Sequence, residues 1–315
     1  MKKKLHSILR LLRPRHWVKN FAIFAAITFG GQLTDPNILW DVILGFLVFC
    51  TISSGIYVIN DIFDVKNDRL HPFKKFRPLA SKEVTVPEAA LIAFLLIAAS
   101  MVSSYFIQFP FFLITVVYLI LQLAYSMFLK HTAVIDILAL AGGYILRVYA
   151  GEVLTGYHIS VWLLLTTISL SLFLAVGKRR RELTLVSEHK GIQIAEIRRS
   201  LSHYSERLLD VYASIFASST FISYSLFTFY ENASNTNSIT NNLFFSEFLP
   251  SYLQRKWLMI TIIPVVYGLM RYLQDIYEKH EGESPERIIF KDKPLFATLV
   301  VWIILLIFII YVIGA

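Results

Sequence analysis

The chain has 315 residues, of which 56% are hydrophobic and 17% charged, with a net charge of +8 and a mean hydropathy of +0.59. Soluble domains average about 45–50% apolar even with glycine counted, and here the apolar residues come in long blocks, so the chain reads as an all-α polytopic membrane protein, not a soluble core. The lone cysteine, Cys50, rules out an internal disulfide framework, and the basic balance points to loops at a membrane surface and to no nucleic-acid partner.

The N-terminal stretch 1–20 is basic well beyond the n-region of a signal peptide, and no small-residue cleavage site follows it, so no cleaved leader is expected. Arg13, Arg15, His16, Trp17 and Lys19 suit an amphipathic helix on anionic headgroups with Trp17 as interfacial anchor. Lys19 and Asn20 stand at the start of the first span, facing a cavity. Apolar windows of spanning length fall at 17–34, 38–59, 87–107, 110–129, 133–151, 160–177, 209–230, 256–274 and 295–314. They predict nine transmembrane helices, in one integral domain covering 1–315. The turn at Gln108–Pro110 separates the third and fourth, and Pro264 is expected to kink the eighth.

With nine spans and a cytoplasmic N-terminus, the cytoplasmic segments carry 27 of the 30 Lys and Arg residues. That asymmetry is the positive-inside pattern, and it places the C-terminus on the opposite side. The far-side stretch 231–249 is rich in Asn and Ser, carries a weak N-A-S sequon at Asn232, and offers Phe244, Phe245 and Phe248 to the membrane surface.

The polar stretch from Asn60 to Ser81, NDIFDVKNDRLHPFKKFRPLAS, is the chemical centre of the sequence. Asp61, Asp64 and Asp68 are spaced i, i+3, i+7, and Asn60, Asp64 and Asp68 i, i+4, i+8, so either set lies on one helical face. Carboxylates so placed repel one another unless a cation sits among them. Oxygen-only ligands favour Mg²⁺, which usually binds substrate phosphates as well. The bland alternative is a solvated charged loop, although carboxylates at a membrane edge are costly and usually functional. Arg69, Lys74, Lys75 and Arg77 follow and suit phosphate oxygens; His71 is a weaker phosphate candidate.

Further along, Tyr125, Lys130 and Asp136 bracket a short cytoplasmic turn. Arg147 lies eleven residues beyond Asp136 inside the fifth span, where a charge faces the bundle interior or a polar passage, with Glu152 as a candidate partner. Gly142 and Gly143 permit close helix contact. Lys178, Arg179, Arg180 and Arg181 are either a positive-inside stop or phosphate ligands. The mixed-charge loop before residue 295 is a lid or a linker.

The NDxxDxxxD pattern on a nine-span frame resembles the UbiA superfamily of intramembrane prenyltransferases. RPRHWVKN (13–20), the 60–81 string, YSMFLKHTAVIDI (125–137), GGYILRVYAGE (142–152), LFLAVGKRRREL (172–183) and SPERIIFKDKPL (284–295) resemble its decaprenyl-phosphate phosphoribosyltransferase branch, over roughly 13–295. The resemblance implies transfer of 5-phosphoribosyl from phosphoribosyl pyrophosphate to a polyprenyl phosphate, releasing pyrophosphate. In the family the product, polyprenylphosphoryl-5-phosphoribose, feeds lipid-linked arabinose and cell-wall arabinan.

That reaction assigns roles. Asp61, Asp64 and Asp68, with Asn60, are the expected catalytic and Mg²⁺-holding residues. Lys19, Arg69, Lys74, Arg77, Tyr125, Lys130, Asp136, Arg147, Lys178 and Arg179 are the expected substrate-binding residues. The enzyme would work at the cytoplasmic face of a bacterial membrane, with membrane lipid as its medium and homo-oligomerisation left open. Two rivals stand beside it: a prenyltransferase of the same superfamily acting on an aromatic acceptor, and a transporter of phosphorylated lipid. The second acidic motif of other members is reduced here to Asp136 behind Lys130, which argues against the aromatic acceptor. A transporter has no evident need of three carboxylates in metal spacing.

Overall fold

A computed structural model of the chain describes residues 2–70, 74–188, 199–230, 257–278 and 285–313, which are helical apart from turns and short linkers. The elements are α1 (Lys2–Leu12), a 3₁₀ segment (Pro14–Ile23), α2 (Phe24–Phe29), α3 (Pro36–Leu70), α4 (Val86–Ile107), α5 (Phe109–Met127) and α6 (Ile135–Thr155). They continue with α7 (Val161–Glu188), α8 (Glu206–Tyr230), α9 (Ile262–Glu278), α10 (Pro285–Lys291) and α11 (Lys293–Ile307), which runs on into a π-helical turn, Phe308–Ile313. The expectations at Asn232, Phe244, Phe245, Phe248 and His71 fall outside the described residues.

Among the described residues seven helical stretches are long and apolar enough to cross a membrane: Pro36–Lys66, Val86–Ile107, Phe109–Met127, Ile135–Thr155, Val161–Thr184, Trp257–Tyr277 and Lys293–Ile313. The other two expected spans differ in character. The 17–34 window is not one α-helix: it divides between the 3₁₀ segment and the six residues of α2, then turns at Gly30 and Gly31, where Gly31 takes φ 67°. α8 is 25 residues long, but hydroxyl-bearing residues such as Ser218, Ser219, Thr220, Ser223 and Ser225 dilute its apolar character. Pro264 sits in the first turn of α9, directly after the 3₁₀ turn Trp257–Thr261, so the span changes helix type beside it.

The chain gathers into two compact units. Unit one is Met1–Phe24 with Asn37–Gly156, and unit two is Ala25–Pro36 with Tyr157–Ala315.

In unit one, α3 has 35 residues and is therefore about 52 Å long, well beyond the ~30 Å of hydrocarbon in a bilayer. Its last turns, from Asn60 to Asp68, carry the polar residues at the end of this length. Leu11, Val58, Leu79, Val84, Ala89 and Ala93 form one buried cluster that fastens α1 and the 74–85 loop to α3 and α4. Polar contacts reinforce it: Lys4 Nζ lies 2.6 Å from Glu88, the Ser7 hydroxyl donates to Glu83 at 2.6 Å, and Arg10 Nη2 donates to the Phe76 carbonyl at 2.7 Å. The Ser7 hydroxyl, with help from Ser81 and Arg10, holds the Glu83 carboxyl below the usual carboxylate range. The loop that carries Arg77 is thus tied down at both ends.

α6 packs closely on its neighbours because it is glycine-studded. A Cβ at Gly143 would stand 2.6 Å from Gln122 Nε2 of α5, and one at Gly151 would collide with the Ile23 carbonyl of the 3₁₀ segment. In unit two, α7 and α8 lie along each other. Leu163, Tyr224, Phe227, Leu258, Leu306, Ile309 and Ile310 form its core, and the Tyr224 hydroxyl links Thr261 at 2.7 Å and Trp302 Nε1 at 2.9 Å.

Candidate active site

The helical spacing of α3 does what the sequence predicts: it stacks Asp61, Asp64 and Asp68 over successive turns of its polar end. Asp61 is 2% exposed and Asp68 4% exposed, so neither charge is left to water. Each finds a cation. Asp61 Oδ1 accepts from Arg13 Nη2 at 2.5 Å and from Arg77 Nη1 at 3.2 Å. The same Arg77 nitrogen reaches Asp68 Oδ2 at 2.7 Å. Asp64 Oδ1 accepts from Lys130 Nζ at 2.7 Å, and its Oδ2 from Asn60 Nδ2 at 3.1 Å. Three carboxylates and three cations therefore balance. Burial raises the Asp68 carboxyl above its ordinary range, and the charges of Arg77 and Lys74 only partly oppose this.

Arg13 is the residue that sequence reasoning missed. Read as part of a surface helix, it instead links α1 to the 3₁₀ segment in a left-handed conformation, φ 52° and ψ 57°. That region costs a non-glycine residue about 1–2 kcal/mol, and the following Pro14 disfavours helical values further. The turn aims the guanidinium at Asp61 and sets it 5.3 Å over the Tyr57 ring, which also faces His16 at 5.2 Å. The available signals were the place of Arg13 at the head of the RPRHWVKN string and the Arg-Pro step, which marks a chain reversal without giving its direction.

The other expected site residues divide. Lys130 is buried at 7% exposure and belongs to the acidic face. Lys74 acts on Asp68 through its charge. Asp136 is fully buried in the first turn of α6, where a helix N-terminus favours a carboxylate. Tyr125 and Lys19 are half-buried, at the end of α5 and within the 3₁₀ segment. Arg69 is exposed and is not gathered with the acids. Arg147 is not at the acidic face either. Its guanidinium donates to Asn20 Oδ1 (2.7 Å), the Gly143 carbonyl (2.6 Å) and the Tyr118 hydroxyl (2.6 Å), and Glu152 is not among its acceptors.

Lys178 and Arg179 belong to α7 in unit two. Arg179 is completely buried and paired with Glu182. Arg180 binds Asp210 at 2.8 Å and Glu206 at 3.1 Å, and lies over Tyr277. Arg179 and Arg180 are thus bonded inside their own unit, not simply solvated.

Among the described residues, no three His, Cys, Asp or Glu side chains are gathered as a metal-holding group. The cations on the acidic face account for this: each carboxylate is turned toward a guanidinium or an ammonium. The donor chemistry nevertheless fits a hard divalent ion, since Asp61, Asp64 and Asp68 offer only oxygen atoms and Asn60 adds an amide oxygen.

Helices long and apolar enough to cross a membrane, with a ring of carboxylates and cations at the end of one of them, suit an intramembrane transferase, and the comparisons with known proteins agree. The model of the UbiA prenyltransferase family matches residues 21–179. Decaprenyl-phosphate phosphoribosyltransferase of Mycolicibacterium smegmatis is 34% identical over 306 residues, covering 96% of this chain and 92% of that protein. Its namesake in Corynebacterium glutamicum is 33% identical over 97% of this chain and 87% of that protein. A UbiA homolog from Archaeoglobus fulgidus bound to GPP and Mg²⁺ has the same fold, with a TM-score of 0.69 at 20% identity, covering 96% of this chain and 99% of that one. The chain belongs to the UbiA prenyltransferase family.

Proposed function

We propose that this protein transfers 5-phosphoribosyl from phosphoribosyl pyrophosphate to a polyprenyl phosphate, giving polyprenylphosphoryl-5-phosphoribose and pyrophosphate. Relatives named for that activity, matched over nearly the full length of both chains, support the reading. The observation that carries it is the balanced acidic face of α3, with Asp61, Asp64 and Asp68 each held by a cation that a phosphate would attract.

Asp61, Asp64 and Asp68, with Asn60, would hold Mg²⁺, which when bound supplies Lewis-acid neutralisation of diphosphate charge. Arg13, Arg77 and Lys130 rest on the carboxylates and move to phosphate oxygens when the substrate enters, since ionised donors bind phosphate strongly. Their positive charge then stabilises the leaving pyrophosphate. The C1–O bond to pyrophosphate breaks with oxocarbenium character, and an oxygen of the lipid phosphate forms the new bond from the opposite face. The acceptor is already an anion, so no side chain has to remove a proton. Inversion at C1 follows, and an NMR assignment of retained anomeric configuration would overturn it.

In this reading the acidic face and the N-terminus are cytoplasmic, where a soluble sugar phosphate is available, and both units serve one transferase; the charge asymmetry of the loops supports the orientation. The test is incubation of membranes with ribose-labelled phosphoribosyl pyrophosphate. Label should enter the organic phase only with protein, polyprenyl phosphate and Mg²⁺ all present. Incorporation that needs no polyprenyl phosphate, or prenylation of a ring compound in its place, would reject the reading.

A further inference from the structure

Arg147 stands in the middle of α6 at 4% exposure, inside a span long enough to cross a membrane. Its guanidinium bonds to an amide oxygen, a backbone carbonyl and a phenol, and lies 4.9 Å over the Tyr118 ring and 5.7 Å over Tyr144. Among the described residues none of its acceptors is a carboxylate. A full charge buried without a counterion is costly and is retained where it serves a purpose. Three of its five N–H donors, one on each nitrogen, are engaged with protein, and each of those acceptors belongs to the packing around α6.

What Arg147 holds is the 3₁₀ segment. Ten residues of 3₁₀ helix is a long run for that conformation, which rarely exceeds three or four residues because its hydrogen bonds are poorly aligned. Here it is pinned from outside. Trp17 Nε1 donates to Ser54 Oγ of α3 at 2.9 Å, Asn20 Nδ2 approaches Cys50 Sγ of α3 at 3.3 Å, and the Ile23 carbonyl lies against Gly151 of α6. Arg147 adds the charge-assisted bond, to the fully buried Asn20.

The conformation matters at the other end of the segment. A 3₁₀ helix rises about 2.0 Å and turns about 120° per residue, against 1.5 Å and about 100° for an α-helix. Over the seven residues from Asn20 back to Arg13, relaxing to α would draw Arg13 in by about 3.5 Å and rotate it by about 140°. The 2.5 Å bond from Arg13 to Asp61 does not survive such a shift.

We propose that Arg147 is a positioning residue, an intramembrane latch that keeps the Pro14–Ile23 segment in 3₁₀ form through Asn20 and so keeps Arg13 on the acidic face. Only the enzymatic half of its test rests on the transferase reading.

The test compares Arg147→Met, Arg13→Ala and their double variant in full-length protein, with turnover and KM for phosphoribosyl pyrophosphate measured alongside N-ethylmaleimide labelling of the native Cys50. Arg147→Met should lower turnover by about 100-fold, the scale of an ångström-sized misplacement. The double variant should be no worse than the poorer single, because both changes remove the same contact. Cys50 should label faster once Asn20 is released. Native turnover with Cys50 still protected would overturn the proposal. So would losses that multiply in the double variant, or a defect confined to KM for polyprenyl phosphate, which would make Arg147 a lipid-phosphate ligand. Should Arg147→Met not accumulate, Asn20→Asp and Asn20→Leu pose the same question. The carboxylate should keep Cys50 protected and turnover within a few-fold of native, while the leucine should expose Cys50, and equal behaviour of the two would refute the latch. If wild-type protein transfers no label, the transferase reading fails, and Cys50 labelling still decides the latch.

Discussion

Lys130 and Asp64 show what each residue of the acidic face is worth. Lys130 is nearly buried, so Asp64→Asn alone removes a charged partner from a poorly solvated ammonium, a change that costs stability. Asp64→Asn should therefore lower the thermal unfolding temperature in detergent, and adding Lys130→Met should restore most of it while turnover stays abolished. A double variant as unstable as the single would break this account of the pair. Asp68 behaves in the opposite sense. Its carboxyl is raised by burial, so the protonated form is the one favoured on folding, and the charged form weighs against stability above the ordinary carboxylate range. Asp68→Asn should be at least as stable as wild type near pH 7.5, with the difference shrinking as pH falls toward the usual carboxylate range. A variant markedly less stable than wild type at pH 7.5 would contradict that sign. The three aspartates were legible in the sequence because their spacing is local helix geometry. Arg13 was not, because its approach depends on a left-handed turn that no periodicity encodes. The depth of Arg147 was legible, but its partner Asn20 lies 127 residues away in sequence.

The 3₁₀ segment and α1 act as elements where the sequence promised a surface helix and a first span. Gly151→Ala should dislodge the segment, because the new methyl meets the backbone carbonyl of Ile23, which cannot yield as a side chain would. Turnover should fall steeply, whereas Gly156→Ala, at a helix end with open space around it but a φ of 66°, should show strain in stability alone. Equal activity loss in both would remove the special standing of the α6 contact. α1 grips the Arg77 loop through Glu83, whose carboxyl is held low by Ser7. That grip is present above the ordinary carboxylate range and is lost as pH falls through the lowered value. Limited proteolysis of the N-terminus should accelerate only on acidification past that point, and Glu83→Gln should make it pH-independent. These contacts were illegible because they join segments some 75 residues apart through polar side chains. The apolar helices α3 to α7, in contrast, follow from length and hydropathy alone.

For the whole molecule, the loop charges support the proposal that the acidic face lies on the basic, cytoplasmic side of the membrane. In a Cys50→Ala background, Ser81→Cys should react with an impermeant thiol reagent from the cytoplasmic side and Gln108→Cys from the opposite side, and the reverse pattern would invert the topology. The central claim is that this face carries off pyrophosphate while a lipid phosphate takes the sugar. It is tested most directly with purified protein in lipid nanodiscs, polyprenyl phosphate, Mg²⁺ and phosphoribosyl pyrophosphate labelled separately in ribose and in the pyrophosphate group. Ribose label should move to the lipid while pyrophosphate label appears in water in equal amount, and Asp61→Asn should stop both. Pyrophosphate label retained on the lipid, or transfer undiminished in Asp61→Asn, would contradict the account.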